Sequence, residues 1–266
     1  MRFEEMLVPA KLVRRYKRFL ADVELETGEV VTAHCANSGS MMGLAVPGSR
    51  VWLSPNRNPK AKLAWRWEAE ECEGGLVGIN TSHPNRIVEE AIRAGLIPEL
   101  SGYDSLRREV PYGKNSRIDL LLEGGKGLCF VEVKNVTLRR EGRAEFPDSV
   151  TARGTKHLAE LAEQVAAGHR AVMLYLIQRS DCDCFTVAAD IDPAYADGLA
   201  RARAAGVEAY AYACAVSPRK SASRARCRWR YREPLPEWAE RLALPARCSD
   251  LKGACRMKRQ GRSKGL

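Results

Sequence analysis

In "RIDLLLEGGKGLCFVEVKN", residues 117–135, Asp119 is followed after a gap of 12 residues by Glu132 and, two positions on, by Lys134. The flanking residues are aliphatic strand formers, so three charges stand where a sheet interior normally excludes them. Strand alternation puts Cys129, Val131 and Val133 on one side and Phe130, Glu132 and Lys134 on the other. Glu132 and Lys134 therefore emerge side by side near the end of their strand. If 117–122 pairs with 129–134 through the "EGGKG" turn, Asp119 lies close to Glu132. Two carboxylates held a few ångströms apart repel, and a divalent cation relieves the repulsion. Oxygen ligands with the remaining positions left to water suit Mg²⁺ or Mn²⁺. A neighbouring lysine positions or deprotonates a water, or neutralises charge developing on a phosphate. The set points to metal-assisted phosphodiester hydrolysis. The competing reading is an exposed ion pair on an edge strand.

The elements around these residues decide between the two. "PNRIVEEAIRAGL" (84–96) starts on proline and repeats Ile87, Ala91 and Ile92 at helical spacing. "TKHLAELAEQVAAGHR" (155–170) is a second helix, with Leu158, Leu161, Ala162 and Val165 on one face. "AVMLYLIQ" (171–178) is a continuous apolar run, the mark of a strand buried on both faces. A third helix follows over 193–205 and a last strand over 207–217. This order predicts an α/β domain over residues 81–217. The spacing and order together resemble the PD-(D/E)xK nuclease pattern, an Asp followed by Glu-x-Lys within an αβββαβ core. Such nucleases often carry a further acid on the preceding helix, and Glu89 is the matching metal-ligand candidate.

Residues 1–80 read instead as short strands. Phe19, Ala21, Val23 and Leu25 share one parity, and so do Leu63, Trp65, Trp67 and Ala69. About five short strands without a clear helix predict a small barrel of the OB type, a frequent binder of single strands and oligosaccharides. Trp65 and Trp67 could stack bases, but their parity favours the core.

No apolar run is long enough to span a membrane, and "MRFEEMLVPAKLVRRYKRF" has no signal-peptide pattern. A cytoplasmic protein is expected. The nine cysteines are odd in number and show no metal-site spacing, so they read as reduced thiols. The net charge of +10 is uneven. Residues 217–266 hold 15 Lys and Arg against 4 Asp and Glu, which leaves 28 against 29 for the rest. Residues 218–266 show no sustained periodicity and are expected to form a disordered basic tail. A second basic excess, 11 against 6, lies in residues 1–67 and includes Arg14, Arg15, Lys17 and Arg18. Basic clusters of this kind fit a polyanion such as DNA, or simply a soluble surface.

Several stretches in order also resemble the sugar fermentation stimulation protein (SfsA) family. They are "VTAHCANSGSMMGL" (31–44), "GINTSHPNRIVEEAI" (78–92), "GYDSLRREVPYG" (102–113), "SRIDLLL", "FVEVKNVTL" (130–138), "FPDSVTARGTKHLAEL" (146–161) and "QRSD" (178–181). Ala36 and Ser38 stand where family members usually have Pro and Thr, and the tail has no counterpart. The resemblance implies an N-terminal OB-like domain, a C-terminal nuclease-like domain and DNA as partner. It also implies a link to the expression of sugar (maltose) metabolism genes. The acid–acid–lysine set matches at Asp119, Glu132 and Lys134. Asn37, Ser38, Gly39 and Ser40 form a loop able to cradle a phosphate through backbone N–H groups, or an ordinary turn. Arg153 and Lys156 stand at a helix start, where phosphate is attracted. His157 beside them reads as a surface group.

Three readings follow. One is a DNA-binding protein with a metal-dependent nuclease-like site. The second is a regulatory DNA-binding protein for sugar metabolism genes without cleavage. The third, an OB-type carbohydrate binder, is disfavoured by the basic front clusters. No small-molecule cofactor is expected, and the sequence leaves the oligomeric state open.

Overall fold

The computed structural model describes residues 1, 3, 5–72, 75–113, 115–182, 184–214 and 216. The expected basic tail lies outside them.

The first half is a barrel. Strands β1 (Val8–Tyr16), β2 (Leu20–Leu25) and β3 (Val30–Cys35) form an antiparallel meander. β4 (Arg50–Pro55) pairs with β1, β5 (Trp65–Cys72) pairs with β4, and β3 pairs with β5 in parallel. That last pairing closes five strands and removes their free edges, the OB arrangement. β6 (Gly75–Gly78) extends β5. The inward parity supplies the core: Leu12, Ala21, Val23, Ala33, Cys35, Val51, Leu53 and Trp67. Trp67 is fully buried, and its indole N–H donates to the Ala69 carbonyl at 3.0 Å. Trp65 packs against the same core. Phe19 departs from the parity seen in the sequence. It lies in the turn before β2 and is 48% exposed.

The second half is a five-stranded sheet covered on both faces. It contains α1 (Pro84–Arg93), β7 (Ser105–Tyr112), β8 (Ser116–Gly124), β9 (Gly127–Val136), β10 (Leu138–Arg140), β11 (Arg143–Phe146), α2 (Ala152–Ala166), β12 (Arg170–Ile177), β13 (Cys184–Val187), α3 (Pro193–Ala204) and β14 (Glu208–Ala213). The sheet order is β14-β12-β9-β8-β7, with β10, β11 and β13 in a small side sheet. β9, β12 and β14 run parallel, and β8 and β7 run antiparallel to their neighbours. β9 is central, and its alternation is the one the sequence shows. Cys129, Val131 and Val133 pack with Ile87, Val88 and Ala91 of α1. Phe130 and Val136 pack with Leu158 and Leu161 of α2 and Leu199 of α3. No helix among the described residues is long and apolar enough to cross a membrane.

Polar contacts join the two halves. Glu68 of β5, only 3% exposed, accepts from Ser54 Oγ (2.6 Å) and Asn80 Nδ2 (2.8 Å), and His83 Nε2 lies 2.7 Å away at the start of α1. Burial pushes the Glu68 carboxyl up, but His83 and the two donors outweigh it and hold it below the usual range. Gly78 N–H donates to the Gln178 carbonyl at 2.9 Å. Replacing Glu68 by Ala strands the buried Asn80 amide and the half-buried Ser54 and His83. The variant should lose about 3–5 kcal/mol of unfolding free energy in urea titrations.

Candidate active site

The acid–acid–lysine set gathers in a cleft of about 380 Å³ between the two halves. Its wall on the barrel side is Asn37, Ser38, Gly39 and Thr81. Its floor is Asn85, Asp119, Glu132 and Lys134, with Asp148, Thr151, Arg153, Gly154 and His157 opposite.

Backbone geometry brings Asp119 there. β8 pairs with β9 only as far as Leu120 opposite Val131. One further step in that register would set Asp119 against Glu132. The ladder stops instead, and Asp119 Oδ2 accepts the Val133 N–H at 2.7 Å. A carboxylate thus replaces a strand carbonyl. β8 also turns over at this point: Ile118 packs towards α2, whereas Leu120 packs towards α1. Glu109, next to it on β7, takes a left-handed φ of 54°, a distortion of the kind that re-aims side chains beside functional sites. Asp119 Oδ1 accepts from Asn85 Nδ2 of α1 at 2.8 Å.

Glu132 sits deeper, at 3% exposure. A buried carboxylate in a central strand needs partners, because leaving water carries a penalty of several kcal/mol. Its Oε1 accepts from Lys134 Nζ at 2.7 Å and meets His157 Nδ1 of α2 in a short contact. Its Oε2 has no hydrogen-bond partner. Burial pushes Glu132 up, yet the bond from His157 and the charge of Lys134 prevail and hold it below the usual range. Asp119 goes the other way. Burial and the Glu132 charge push it up to about 6.

Among the described residues no three His, Cys, Asp or Glu side chains group as a metal cage. Two carboxylates with one orphaned oxygen fit a cation that keeps most of its waters, as Mg²⁺ does.

His157 differs from its sequence reading as a surface group. It is 4% exposed and ties α2 to Glu132. Glu89 is not brought to the cleft. It pairs with Arg93 at 3.0 Å and Arg108 at 3.1 Å, and Asn85, one turn earlier on α1, lines the cleft instead. Arg153 lines the cleft, with its Nε 3.3 Å from His157 Nε2. Lys156 does not line it and reaches Ser116 Oγ at 3.0 Å and Glu160 at 3.3 Å.

The 37–40 loop is docked rather than open. Ser40 Oγ donates to the Asp148 carbonyl at 2.7 Å, and Met41 N–H donates to the Asp148 carboxylate at 3.0 Å. A Cβ on Gly39 would stand 2.9 Å from that carboxylate, so any larger residue here would push the Asp148 side chain away. Asn37, Ser38 and Gly39 line the cleft, whereas Ser40 does not. Arg15 donates to the carbonyls of Asn37 (2.9 Å) and Gly39 (3.0 Å), and Arg14 pairs with Asp22 at 2.8 Å. Lys17 and Arg18 are exposed in the β1–β2 turn. Asn85 and Asp148 were missed in the sequence. Asn85 shares a helix face with Glu89, which was the available signal. For Asp148 there was none beyond its place in "FPDS".

A closed OB barrel leading into an α/β domain, with paired carboxylates and a lysine in the cleft between them, defines a two-domain class of protein. The description "SfsA N-terminal OB domain" matches residues 13–79, and "Sugar fermentation stimulation protein RE domain" matches residues 82–220. A sugar fermentation stimulation protein homolog of Rhodospirillum centenum is 67% identical over 201 residues, spanning 75% of this chain and 86% of that one. One from Paramagnetospirillum magneticum is 63% identical over 203 residues, spanning 76% and 86%. The solved structure of Pyrococcus furiosus SfsA in complex with Ca²⁺ has a TM-score of 0.77 at 28% identity, covering 86% of this chain and 96% of that one. The chain belongs to the sugar fermentation stimulation protein family.

The Asp119 shift has a measurable consequence. Its folded value of about 6 lies above the ordinary 3.8. Its contribution to stability is complete below about pH 4 and is lost as pH rises through about 6, where the buried carboxyl must ionise. Two pH units correspond to about 3 kcal/mol. Asn in its place can accept the Val133 N–H without a charge, and the Asn85 amide can turn to accommodate it. Asp119→Asn should therefore be more stable than the wild type by about 1–3 kcal/mol at pH 8 in EDTA, and no more stable at pH 4. Chemical unfolding at the two pH values checks this.

Proposed function

We propose that the chain is a DNA-binding protein whose cleft hydrolyses phosphodiester bonds with the help of a Mg²⁺ or Mn²⁺ ion held by Asp119 and Glu132. The observation that carries this reading is the buried Glu132, with Oε1 doubly held and Oε2 unpartnered, beside an Asp119 pushed up by burial and by that same charge. The Pyrococcus furiosus relative, solved in complex with Ca²⁺, adds support, since Ca²⁺ also prefers oxygen ligands. A bound ion supplies Lewis acidity and lowers the pKa of water.

The chain's own groups do the rest. Lys134 Nζ, already at the carboxylate, can shift to a phosphate oxygen or hold the attacking water. Arg153 and the first turn of α2 attract the phosphate. His157 keeps Glu132 in place and separates it from bulk water. Of the four basic residues in 14–18, Lys17 and Arg18 are exposed and free to meet backbone phosphates, Arg14 is exposed but paired with Asp22, and Arg15 holds the 37–39 loop.

The test uses the full chain with single-stranded, duplex and branched DNA in Mg²⁺, Mn²⁺ or EDTA, scored for mobility shift and for products. Products should form only with metal, and their rate should rise as pH passes about 6, where Asp119 ionises. Glu132→Gln and Lys134→Met should each slow cleavage by about 10²–10⁴-fold while keeping the shift. A shift without cleavage under every metal would favour a regulatory DNA-binding protein for sugar metabolism genes. Neither shift nor cleavage would overturn both readings.

A further inference from the structure

The turn joining β1 to β2 is built unlike the rest of the barrel surface. Lys17 and Arg18 hold left-handed φ angles of 49° and 63°. Asn and Gly usually fill such positions because a Cβ is disfavoured there. Here two basic side chains are kept at the tip, and both are exposed. The next residue is Phe19, 48% exposed. A phenylalanine left this open at a turn contributes little to the core.

Its orientation is nevertheless fixed. The Phe19 carbonyl accepts the Cys35 N–H at 2.8 Å, which presses the turn against β3. Its ring lies 17° from parallel with His34, centroids 6.5 Å apart, within the range of offset stacking. His34 is on the outward parity of β3, opposite Arg66 of β5. The result is an aromatic shelf of two near-parallel rings, next in sequence to the exposed Lys17 and Arg18 and with Arg66 on the strand beside His34.

This shelf is tied to the cleft. Arg15 donates through Nε to the Arg18 carbonyl at 3.2 Å and through Nη2 to the carbonyls of Asn37 and Gly39. One guanidinium thus clamps the turn to the loop that lines the cleft. His34 also precedes Asn37 by only three residues, at most about 11 Å of chain.

We propose that Phe19 and His34 form a base-stacking platform for single-stranded nucleic acid, continuous with the cleft through the Arg15 clamp. This rests on the nucleic-acid reading above and adds the form of the strand. A duplex offers its phosphates but hides its base faces, so Lys17, Arg18 and Arg66 serve either form while the shelf serves only unpaired bases. Stacking on an aromatic is tolerant of sequence, since every base has a π-face. A strand lying on the shelf would have its next nucleotides led over the 37–39 loop towards Lys134.

The test compares the wild type, Phe19→Ala and Phe19→Tyr as full-length chains in EDTA. Fluorescence polarisation follows a single-stranded oligonucleotide and a blunt duplex, and 2-aminopurine in the single strand reports stacking. Phe19 is exposed, so both variants should keep the wild-type melting temperature. Phe19→Ala should weaken single-strand binding about 5- to 100-fold and abolish the 2-aminopurine quench, leave duplex binding within about twofold, and be restored by Phe19→Tyr. If the wild type binds DNA and Phe19→Ala binds single strands equally well, the platform is wrong and the nucleic-acid reading stands. If the wild type binds no nucleic acid, both fall. Unchanged strand affinity with an altered mass by light scattering would overturn the platform in favour of a contact between copies of the chain.

Discussion

A carboxylate buried in the central strand of a sheet is the constraint from which most of this molecule follows. Glu132 cannot be left alone there, and its two partners come from different places. Lys134 is two residues along the same strand, and the strand's parity delivers it at no structural expense. His157 has to be brought by a helix, so the first turns of α2 must lie over the carboxyl half of β9. That placement explains local features of α2. Thr151 caps it by accepting the Gly154 N–H at 3.1 Å. Position 154 is glycine because a Cβ would come within 3.0 Å of both the Thr151 side chain and the Tyr195 ring. The helix N-terminus then faces the cleft as a consequence of satisfying one buried charge.

The same economy orients the two halves. Asp148, just before α2, accepts from the barrel loop at Met41 N–H and Ser40 Oγ. On the other side of the cleft, Glu68 of the barrel is completed by Asn80 and His83 at the approach to α1. Polar contacts at a junction, buried at Glu68 and half-buried at Asp148, are poor sources of net stability, but they are demanding about geometry. Both seams have short, specific partners, so the cleft has walls from both halves held at fixed separation. Arg15 belongs to this scheme. Its charge faces carbonyl oxygens rather than solvent, and it stiffens the loop that forms the barrel-side wall.

The parts of this architecture legible in the sequence were those governed by period. The parity of β9, the barrel strands β2 and β5 and the three helices follow from alternation or helical spacing, whereas β1 was not among the strands read. β7 was not legible, because "SLRREVPY" is a sheet edge with most of its residues exposed and a proline near its end. β10, β11 and β13 are too short to show a period. Within the site, Asp119, Glu132 and Lys134 could be read from spacing, whereas His157 could not. Amphipathicity assigns a polar residue in a first helical turn to solvent. A glutamate inside a sheet needs a hydrogen-bond partner from a covering element, and which helical residue reaches it is set by tertiary packing rather than by period. Asn85 and Glu89 share a helix face, and the choice between them depended on Arg93 and Arg108, whose reach towards Glu89 is a tertiary fact. Phe19 obeyed the parity of β2 in the sequence and broke it in the structure because the strand begins one residue later.

The two carboxylates of the cleft differ in a way that bears on how a cation would enter. Glu132 is held below the usual range by His157 and Lys134, and Asp119 is lifted to about 6 by burial and by Glu132. Environments that separate the pKa values of neighbouring acids also separate their roles. Of the two carboxyls, Glu132, held low, is the first to ionise and Asp119 the second. On the proposed reading, cation binding displaces whatever proton Asp119 carries, so affinity falls as pH drops through about 6 while the scaffold around Glu132 stays intact. On that same reading, the unpartnered Glu132 Oε2 and the Asp119 carboxyl, lifted by burial and by the Glu132 charge, are the oxygens left for the cation.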